Sequence, residues 1–371
     1  MSDFPGSLSI PGTDARIRLG GWVRSTWINS LDPIGSNDEF TPSSIPVGSP
    51  TPDQVTGSTL TVLPTRLSLD LRSLTGVGAM RAFVETDFEG SGGAVRLRHA
   101  YGRWGWLLVG QTWSAFGDVL AEPDSINREG FAASTHLRQP GARVTAPLGT
   151  RASLAFALET PEPMISGADS KRDLPDAILR FRFEEPEEGS GPFALFPGGG
   201  HVQVALVLRK LAAQGADGST ATAMGYGLSV AGRVAVPWLG RRDWLLAGVV
   251  AGKGVGRYVR DLEQTGGQDG VYDPTAGSLT ALPVVSGYVA LEHWWATSLR
   301  STLAGGTVKV HSLDVQPVDA LHSTDQLSLN LAWSPIRRID LIAEVLRGRR
   351  ANKNGERGTA TQVQFGSTFR F

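Results

Sequence analysis

The last eleven residues of the chain, Thr361 to Phe371, read Thr-Gln-Val-Gln-Phe-Gly-Ser-Thr-Phe-Arg-Phe. Successive side chains of a β-strand point to opposite faces. One face would therefore carry the apolar residues Val363, Phe365, Phe369 and Phe371. The other face would expose the polar residues Gln362, Gln364, Thr368 and Arg370 to water. Chain ends usually fray in soluble proteins, whereas a closed membrane barrel must pair every strand, including the last one. The segment therefore predicts a terminal strand of an outer-membrane β-barrel, with its aromatic face toward lipid.

The composition is compatible with a barrel and excludes a helical membrane protein. The chain has 371 residues, 41% of them hydrophobic, and contains no run of 18 apolar residues. Only every second residue of a membrane strand faces lipid, so a moderate hydrophobic content is expected. No change in composition divides the chain, and we expect one barrel domain over residues 1–371.

Cysteine and charge set further limits. The absence of cysteine excludes disulfides and thiolate metal sites. The first residues lack the basic and apolar regions of a signal peptide, so we expect a mature chain with an added initiator Met. The net charge is −1, but only five of the 35 basic residues are lysine. The excess of arginine indicates either a confined anion-binding surface or the codon bias of a GC-rich genome.

The rest of the chain repeats the strand pattern. Segments of about 9 to 15 residues alternate in polarity, and their connections are short and long in turn, as in a membrane barrel. We predict sixteen antiparallel strands near residues 16–30, 59–74, 79–89, 94–104, 106–113, 136–146, 150–160, 175–184, 199–211, 224–236, 243–257, 282–295, 298–310, 324–334, 339–350 and 359–371. With an even number, the last strand can pair with the first and close the ring.

The connections distinguish the two ends of the predicted barrel. Tight turns such as residues 75–78 and 334–338 are expected at the periplasmic end, where residues 1–15 would form an N-terminal segment. Two longer segments rich in Pro, Gly, Ser and Asp, Leu31 to Ser58 and Arg257 to Ala281, are expected to be extracellular loops. A solvated surface is the favoured interpretation of the second loop, ahead of a calcium site at its aspartates.

The inner and outer faces of the barrel wall are expected to differ in composition. Sixteen strands enclose a lumen wide enough for water, so the inner face is expected to be polar and unpacked. Aromatic residues near strand ends are typical of the membrane interfaces. Seven tryptophans near predicted turns are expected to form such girdles: Trp104, Trp106, Trp238, Trp244, Trp294, Trp295 and Trp333.

Seven short motifs follow one another in a specific order over nearly the whole chain. They are Ile10-Pro11-Gly12-Thr13, Leu19-Gly20-Gly21-Trp22-Val23, Arg81-Ala82-Phe83-Val84-Glu85-Thr86-Asp87-Phe88, Leu97-Arg98-His99-Ala100-Tyr101-Gly102, Gly110-Gln111-Thr112-Trp113-Ser114, Arg138-Gln139-Pro140 and Ala157-Leu158-Glu159-Thr160-Pro161-Glu162. In their order and spacing the chain resembles the DcaP-like porins of Gram-negative outer membranes. The resemblance implies a homotrimeric, 16-stranded porin that passes small hydrophilic solutes and prefers anions such as dicarboxylates.

Residues 116–135, between the fifth and sixth predicted strands, are too long for a tight turn. By resemblance to porins in general, this third loop folds into the lumen and narrows it, and it carries the acids Asp118, Glu122, Asp124 and Glu129. The candidate constriction and anion-binding residues are Arg66, Arg72, Arg81, Arg96, Arg98, Arg138 and Arg143. Arginines around a water-filled channel concentrate anions and bind carboxylates through two donors. Acids on the same faces, such as Asp70 and Asp87, could pair with them and reduce the net field.

A barrel-embedded outer-membrane hydrolase is the alternative function, and a soluble β-rich binding module is a weaker third. The six histidines show no zinc-site spacing, and the chain has neither a nucleophile elbow nor a phosphate-binding loop. We therefore expect no enzyme, with no catalytic residue, metal or cofactor. The expected partners are two further copies of the chain, outer-membrane lipid and lipopolysaccharide, and small anionic solutes, without nucleic acid. The expected location is the outer membrane of a Gram-negative cell.

Overall fold

The computed structural model describes residues 4–52, 54–76, 78–185, 199–240, 242–266 and 268–371. Within these residues sixteen antiparallel strands form one closed sheet, which confirms the predicted all-β barrel. In chain order they are β1 Ala15–Ile34, β2 in two parts, Val55–Thr61 and Arg66–Thr75, β3 Gly78–Asp87, β4 Arg96–Trp104, β5 Leu107–Trp113, β6 Arg138–Leu148, β7 Ala152–Glu159, β8 Asp176–Glu184, β9 His201–Gln214, β10 Thr220–Ala235, β11 Trp244–Lys253, β12 Pro283–Ala296, β13 Leu299–Val310, β14 Leu321–Ile336, β15 Ile339–Asn352 and β16 Arg357–Arg370.

The first and last strands close the barrel. They pair from Trp22 opposite Arg370 to Ser30 opposite Gln362. The same strand β1 pairs on its other side with both parts of β2. The terminal segment of the chain is thus a full member of the sheet, as its alternating pattern predicted.

The interruption of β2 positions the Trp22 ring on the inner wall of the barrel. Residues 62–65 leave the ladder around Pro64, which has no backbone N–H to donate. The indole Nε1 of Trp22 donates to the freed carbonyl of Pro64 at 3.0 Å, which fixes the ring against the inner wall. Beside it Gly21 has φ 150°, and a Cβ there would lie 2.1 Å from the Arg66 carbonyl oxygen, so the close approach of β1 to β2 requires glycine.

The outer face of the wall is apolar. Leu67, Leu329 and Phe365 point outward and are exposed, as alternation predicted. Five of the predicted girdle tryptophans are also exposed: Trp104, Trp106, Trp238, Trp295 and Trp333. The prediction was wrong for Trp244 and Trp294, which instead stack against Arg233 and Arg300. Position near a turn does not decide which face of a strand a ring occupies.

The lumen is largely filled, contrary to the expectation of an unpacked polar interior. Phe116, Phe131, Tyr258 and Leu262 come from long connections and pack against inward residues of the wall such as Val207. The polar face of the last strand is covered as well, because Gln362, Gln364 and Thr368 are buried and only Arg370 is exposed. Inward-folding loops therefore replace much of the water that sixteen strands could enclose.

Smaller elements complete the fold. Leu8–Ser9 pairs with β1, Asp169–Lys171 pairs with β9, and Ile165–Ser166, Gly270–Asp273 and Ser278–Ala281 form a separate three-stranded sheet. The helical pieces are Pro42–Ser44, Ser91–Gly93, Gly256–Tyr258 and Arg260–Glu263. In the described part of the chain, no helix is long and apolar enough to span a membrane. Most of the connection from β8 to β9, at residues 186–198, lies outside the described residues.

Two predicted surface loops differ from expectation. Phe40 and Ile45, in the connection from β1 to β2, are buried against Leu346 of β15. In the connection from β11 to β12, Asp269 is fully buried and lies 3.0 Å from the guanidinium of Arg209. The favoured interpretation of a solvated loop was therefore wrong for Asp269, whose carboxylate is neutralised by an internal ion pair.

Candidate functional site: a constriction lined with arginine

The connection from β5 to β6, residues 116–135, crosses the lumen to the far wall. Its tip is held by the Glu344 carboxylate of β15, which accepts hydrogen bonds from Ser125 Oγ at 2.9 Å and from the Ile126 backbone N–H at 2.7 Å. The amide of Asn330 on β14 donates to the carbonyl of Asp124 at 2.6 Å. Three side-chain donors and acceptors thus fix a backbone turn that has no regular secondary structure.

Two other connections brace this constriction loop. The backbone N–H groups of Arg260 and Asp261 donate to Ser134 and Ala132, at 3.0 and 3.1 Å. Asp261 in turn accepts a hydrogen bond from the backbone N–H of Ser43 at 2.9 Å, which ties the first long connection to the same assembly. Burial raises the pKa of Asp261, although these hydrogen bonds oppose the shift. The loops form one interlocked body inside the barrel.

A cavity of about 340 Å³ remains between the constriction loop and the wall. Its lining includes three carboxylates, those of Glu122, Asp124 and Glu292. It also includes eight arginines: Arg24, Arg66, Arg96, Arg98, Arg128, Arg138, Arg233 and Arg260. Arg66, Arg96, Arg98 and Arg138 were candidates from the sequence. The excess of guanidinium groups over carboxylates on this surface favours anions.

Three predicted constriction residues lie elsewhere. Arg72 and Arg81 both bond the buried Asp70, at 2.9 Å in each pair, and Arg72 also stacks on the Phe4 ring at 4.1 Å. They belong to a cluster beside the N-terminal segment and do not line the cavity. Arg143 is also absent from the lining. Alternation predicted that Arg72 and Arg81 point inward, but it carries no information about the height of a side chain in the barrel.

Four lining arginines were not predicted. Arg24 and Arg233 share the inward parity of their strands, so the alternation of β1 and β10 could have identified them. Arg128 and Arg260 lie on the constriction loop and on the connection after β11. No local pattern marks those two, because their positions depend on how the loops pack.

Part of the arginine charge is neutralised from behind. Arg98 lies 3.0 Å from Glu85 and 2.8 Å from Asp87, and Arg96 also bonds Asp87 at 2.8 Å. Asp87 is fully buried, so the carboxylate lies behind the guanidinium groups. Arg260 is paired with Glu129 of the constriction loop. These pairs order the wall but contribute little net field.

Four of the other lining arginines contact indole rings; of these, Arg66 also lies 3.4 Å from Glu85. Arg128 is instead paired with Glu39. The guanidinium carbon of Arg66 lies 4.5 Å from the centre of the Trp22 ring, that of Arg138 lies 5.0 Å from Trp113, and that of Arg233 lies 3.9 Å from Trp244. Trp22 also supports Arg24, at 5.6 Å. A cation–π contact orients a guanidinium without cancelling its charge. Among the described residues, Arg24, Arg138 and Arg233 have no carboxylate oxygen within 4.0 Å.

Two of these guanidinium groups keep unused donors. The Nη1 of Arg138 and the Nε of Arg66 are buried and have no hydrogen-bond partner among the described residues. A buried donor without a partner is unfavourable, so these two guanidinium groups are not fully satisfied by the protein. The cavity therefore combines fixed positive charge with guanidinium groups that the protein does not fully pair, an arrangement that suits transient binding of a carboxylate.

The four predicted acids of the loop have different positions. Glu122 and Asp124 line the cavity, where Asp124 pairs with Arg300 at 2.6 Å. Glu129 is buried beneath it. Asp118 is buried on another side, 2.7 Å from His201 and 3.1 Å from Arg182. Burial acts to raise the pKa of Asp118, but the hydrogen bond from His201 and the charge of Arg182 hold that pKa below its ordinary value.

Four of the six histidines contact polar side chains. His136, His201 and His293 each have a ring nitrogen 2.6 to 2.7 Å from a carboxylate oxygen. His99 contacts the Thr112 hydroxyl at 3.1 Å. Within the described residues no histidine has a serine hydroxyl in hydrogen-bond contact, and no group of three potential ligands could hold a metal ion. Nothing in this geometry favours the alternative of a hydrolase.

Comparison with known proteins places the fold. No family model and no curated protein matches the chain. Among solved structures, the outer membrane channel DcaP of Acinetobacter baumannii is 22% identical with a TM-score of 0.84, over 99% of this chain and 100% of that one. An anion-selective porin from Comamonas acidovorans is 10% identical with a TM-score of 0.61, over 96% and 100%. A trimer form of OmpT from Vibrio cholerae is 10% identical with a TM-score of 0.56, over 96% and 99%. At these identities the chain shares their barrel fold.

Proposed function

We propose that this chain, which has the barrel fold of outer-membrane channels, is a porin of a Gram-negative outer membrane that passes small hydrophilic solutes and prefers anions such as dicarboxylates. The observation that carries the proposal is that three lining arginines, Arg24, Arg138 and Arg233, are held on tryptophan rings and have no carboxylate oxygen within 4.0 Å among the described residues. Their positive charge acts on the cavity itself. The structures of a channel and of an anion-selective porin with the same fold support it.

Selection would follow from electrostatics and size. The loops that carry part of the lining also bury apolar residues such as Phe116 and Phe131. A surrounding of low polarity strengthens the field of a charge in the narrow aqueous path. A cavity of about 340 Å³ admits a small carboxylate with part of its hydration shell, whereas a disaccharide would fill it. Conduction also needs weak binding, and half-buried guanidinium groups that remain partly hydrated can release a carboxylate.

The proposal is tested by swelling of proteoliposomes that contain the purified protein. Succinate should enter faster than a neutral solute of similar mass, because the lining arginines raise its local concentration. Equal rates of entry for the two solutes would exclude the anion preference but would still support a channel. No swelling with either solute, from protein that is fully folded in detergent, would exclude the porin function.

We further propose a homotrimer in contact with lipid and lipopolysaccharide. The barrel carries exposed apolar residues around its wall, which both lipid and neighbouring copies could cover. The trimer form of OmpT from Vibrio cholerae has the same fold. Native mass spectrometry in mild detergent should give three times the monomer mass of 39.4 kDa, and a monomer at all concentrations would contradict the trimer.

A further inference from the structure

Arginines on the inner wall continue away from the constriction along cross-strand neighbours. Arg81 on β3 lies opposite Arg103 on β4, which lies opposite Leu108 on β5. Leu108 lies opposite Arg143 on β6. Side chains in directly opposed positions point to the same face of a sheet, so this row lines the lumen. The next arginine along the wall is Arg180 on β8.

Arg143 and Arg180 flank the strand β7 between them. Arg143 is opposite Ala157, and Arg180 is opposite Ala155. Two strand spacings and an offset of two residues separate their Cα atoms by about 12 Å. Each side chain can extend about half of that distance, so the two guanidinium groups can reach one small anion above β7. The side chains of the intervening Ala155 and Ala157 are too short to separate the two guanidinium groups.

These two arginines lack the ion pairs that neutralise their neighbours. Arg81 is held by Asp70, but neither Arg143 nor Arg180 has a carboxylate oxygen within 4.0 Å among the described residues. The Nε of Arg180 is buried without a hydrogen-bond partner in the same part of the chain. The acid nearest to both in the wall, Glu159, is already occupied by the Ala115 N–H at 2.7 Å and the Gln139 amide at 2.6 Å.

This pair is separate from the constriction. Neither residue lines the cavity beside the constriction loop. On β6, Arg138 lines that cavity, whereas Arg143 lies five residues nearer the short turn after Leu148. Five residues of strand correspond to about 16 Å. An anion that leaves Arg138 in the direction of the short turns would therefore meet Arg143 and Arg180 next.

We propose that Arg143 and Arg180 form a second binding position for small carboxylates, on the short-turn side of the constriction. This inference rests on the proposed function of an anion-preferring porin. Two positions in series keep the carboxylate attracted after it leaves the first, and neither has to bind it tightly. Because the donors come from two strands, the position suits an oxyanion with at least two acceptor oxygens.

The test compares Arg143→Gln/Arg180→Gln with the parent in planar bilayers, using sodium succinate. The double variant should raise the half-saturating succinate concentration about threefold or more and move the reversal potential in a succinate gradient toward that of a less selective pore. Arg143→Lys/Arg180→Lys keeps the charge but not the planar fork. It should restore the reversal potential without fully restoring the half-saturation. Heat-modifiable gel migration checks that each variant is folded.

The matched control is Arg172→Gln/Arg349→Gln, which removes two exposed arginines, each paired with an acid, outside the lumen path. It should leave both quantities unchanged. If the parent prefers succinate and the Arg143→Gln/Arg180→Gln variant behaves like it, the second position is excluded and the porin proposal stands. If the parent itself has no anion preference, the proposed function fails, and this inference fails with it.

Discussion

At the scale of single residues, the constriction shows two ways of holding an arginine. Arg98 is paired with the carboxylates of Asp87 and Glu85, which neutralise its charge, whereas Arg138 lies on the Trp113 ring without such a partner. Arginine therefore stabilises the barrel wall in one position and is available to attract the solute in the other. A count of arginines and acids in the sequence, with a net charge of −1, does not reveal this division.

Arg138→Glu should change selectivity strongly. It replaces an unpaired positive charge by a negative one at the cavity, and a unit charge at 4 Å is worth about 1 kcal/mol even in water. We expect the anion-to-cation permeability ratio to fall about fivefold or more, measured as the reversal potential in a KCl gradient. Arg172→Glu, at an exposed position in an outer connection, should leave the ratio unchanged. An unaltered ratio in Arg138→Glu would remove this residue from the selectivity filter.

The anchoring of Asp118 has a predictable pH dependence. Because its pKa is lowered in the folded chain, the contribution to stability is complete above the ordinary carboxyl pKa and is lost as the pH falls through the lowered value. Asp118→Asn should therefore destabilise the protein at pH 7, by about 2 kcal/mol for a hydrogen bond to a charged group. The difference from the parent in the thermal unfolding midpoint should shrink in acid. A difference that is the same at pH 7 and at pH 3 would contradict the ion-pair account.

At the scale of elements, the constriction loop is positioned by its contacts and not by its own secondary structure. Glu344 of β15 holds the tip through Ser125 and Ile126, on the wall opposite the strands that the loop connects. Apolar packing of Phe116 against Tyr258 holds its base, with ring centres 5.0 Å apart. The size of the pore therefore depends on a small number of anchors.

Glu344→Ala should loosen the tip and widen the path. It removes the acceptor for the Ser125 and Ile126 donors, while leaving the strand pairing of β15 intact. We expect faster swelling of proteoliposomes in disaccharide relative to monosaccharide, together with noisier single-channel currents. Glu356→Ala, at an exposed position in the turn after β15, provides the matched control. Identical size dependence in the two variants would show that Glu344 does not hold the loop in place.

The alternating pattern predicted which strand residues form the wall of this site better than it predicted the loops that fold into the lumen. The period of two identified the inward arginines of β2 and β4, because a strand repeats the same geometry at every second residue. The same pattern wrongly assigned Arg72 and Arg81 to the constriction, because the face of a strand on which a residue lies does not depend on its height in the barrel. The inward folding of the connections after β1 and β11 was not predicted, since Phe40 and Tyr258 are packed by residues far away in the sequence. Long-range loop packing leaves no local periodic signal.

At the scale of the whole molecule, the loops inside the barrel keep their positions only if the sheet is closed. Nine residues of β1, Trp22 to Ser30, are paired with the last strand. That seam also carries Gln362 and Gln364, which contact Ser30 and Asn127 and so join the wall to the loops. Loss of the seam would expose two strand edges and release the loops together.

Removal of residues 357–371 should therefore abolish folding. Without β16, β1 and β15 both lose their ladder partners, and we expect no compact form with altered migration on unheated gels. Phe371→Ala is the control, because its backbone N–H still donates to the Gly21 carbonyl at 3.2 Å and the strand is kept. A truncated chain that retains a heat-modifiable form would show that the barrel does not need its sixteenth strand.

The central claim is that the lining arginines held on tryptophan make the pore prefer anions. The most direct test is the reversal potential of the unmodified protein in a planar bilayer under a tenfold KCl gradient. The charge arrangement predicts a potential with the sign of chloride-selective conduction, decreasing in size as the salt concentration rises and screens the arginines. A reversal potential of zero, or one with the sign of potassium selectivity, would contradict it.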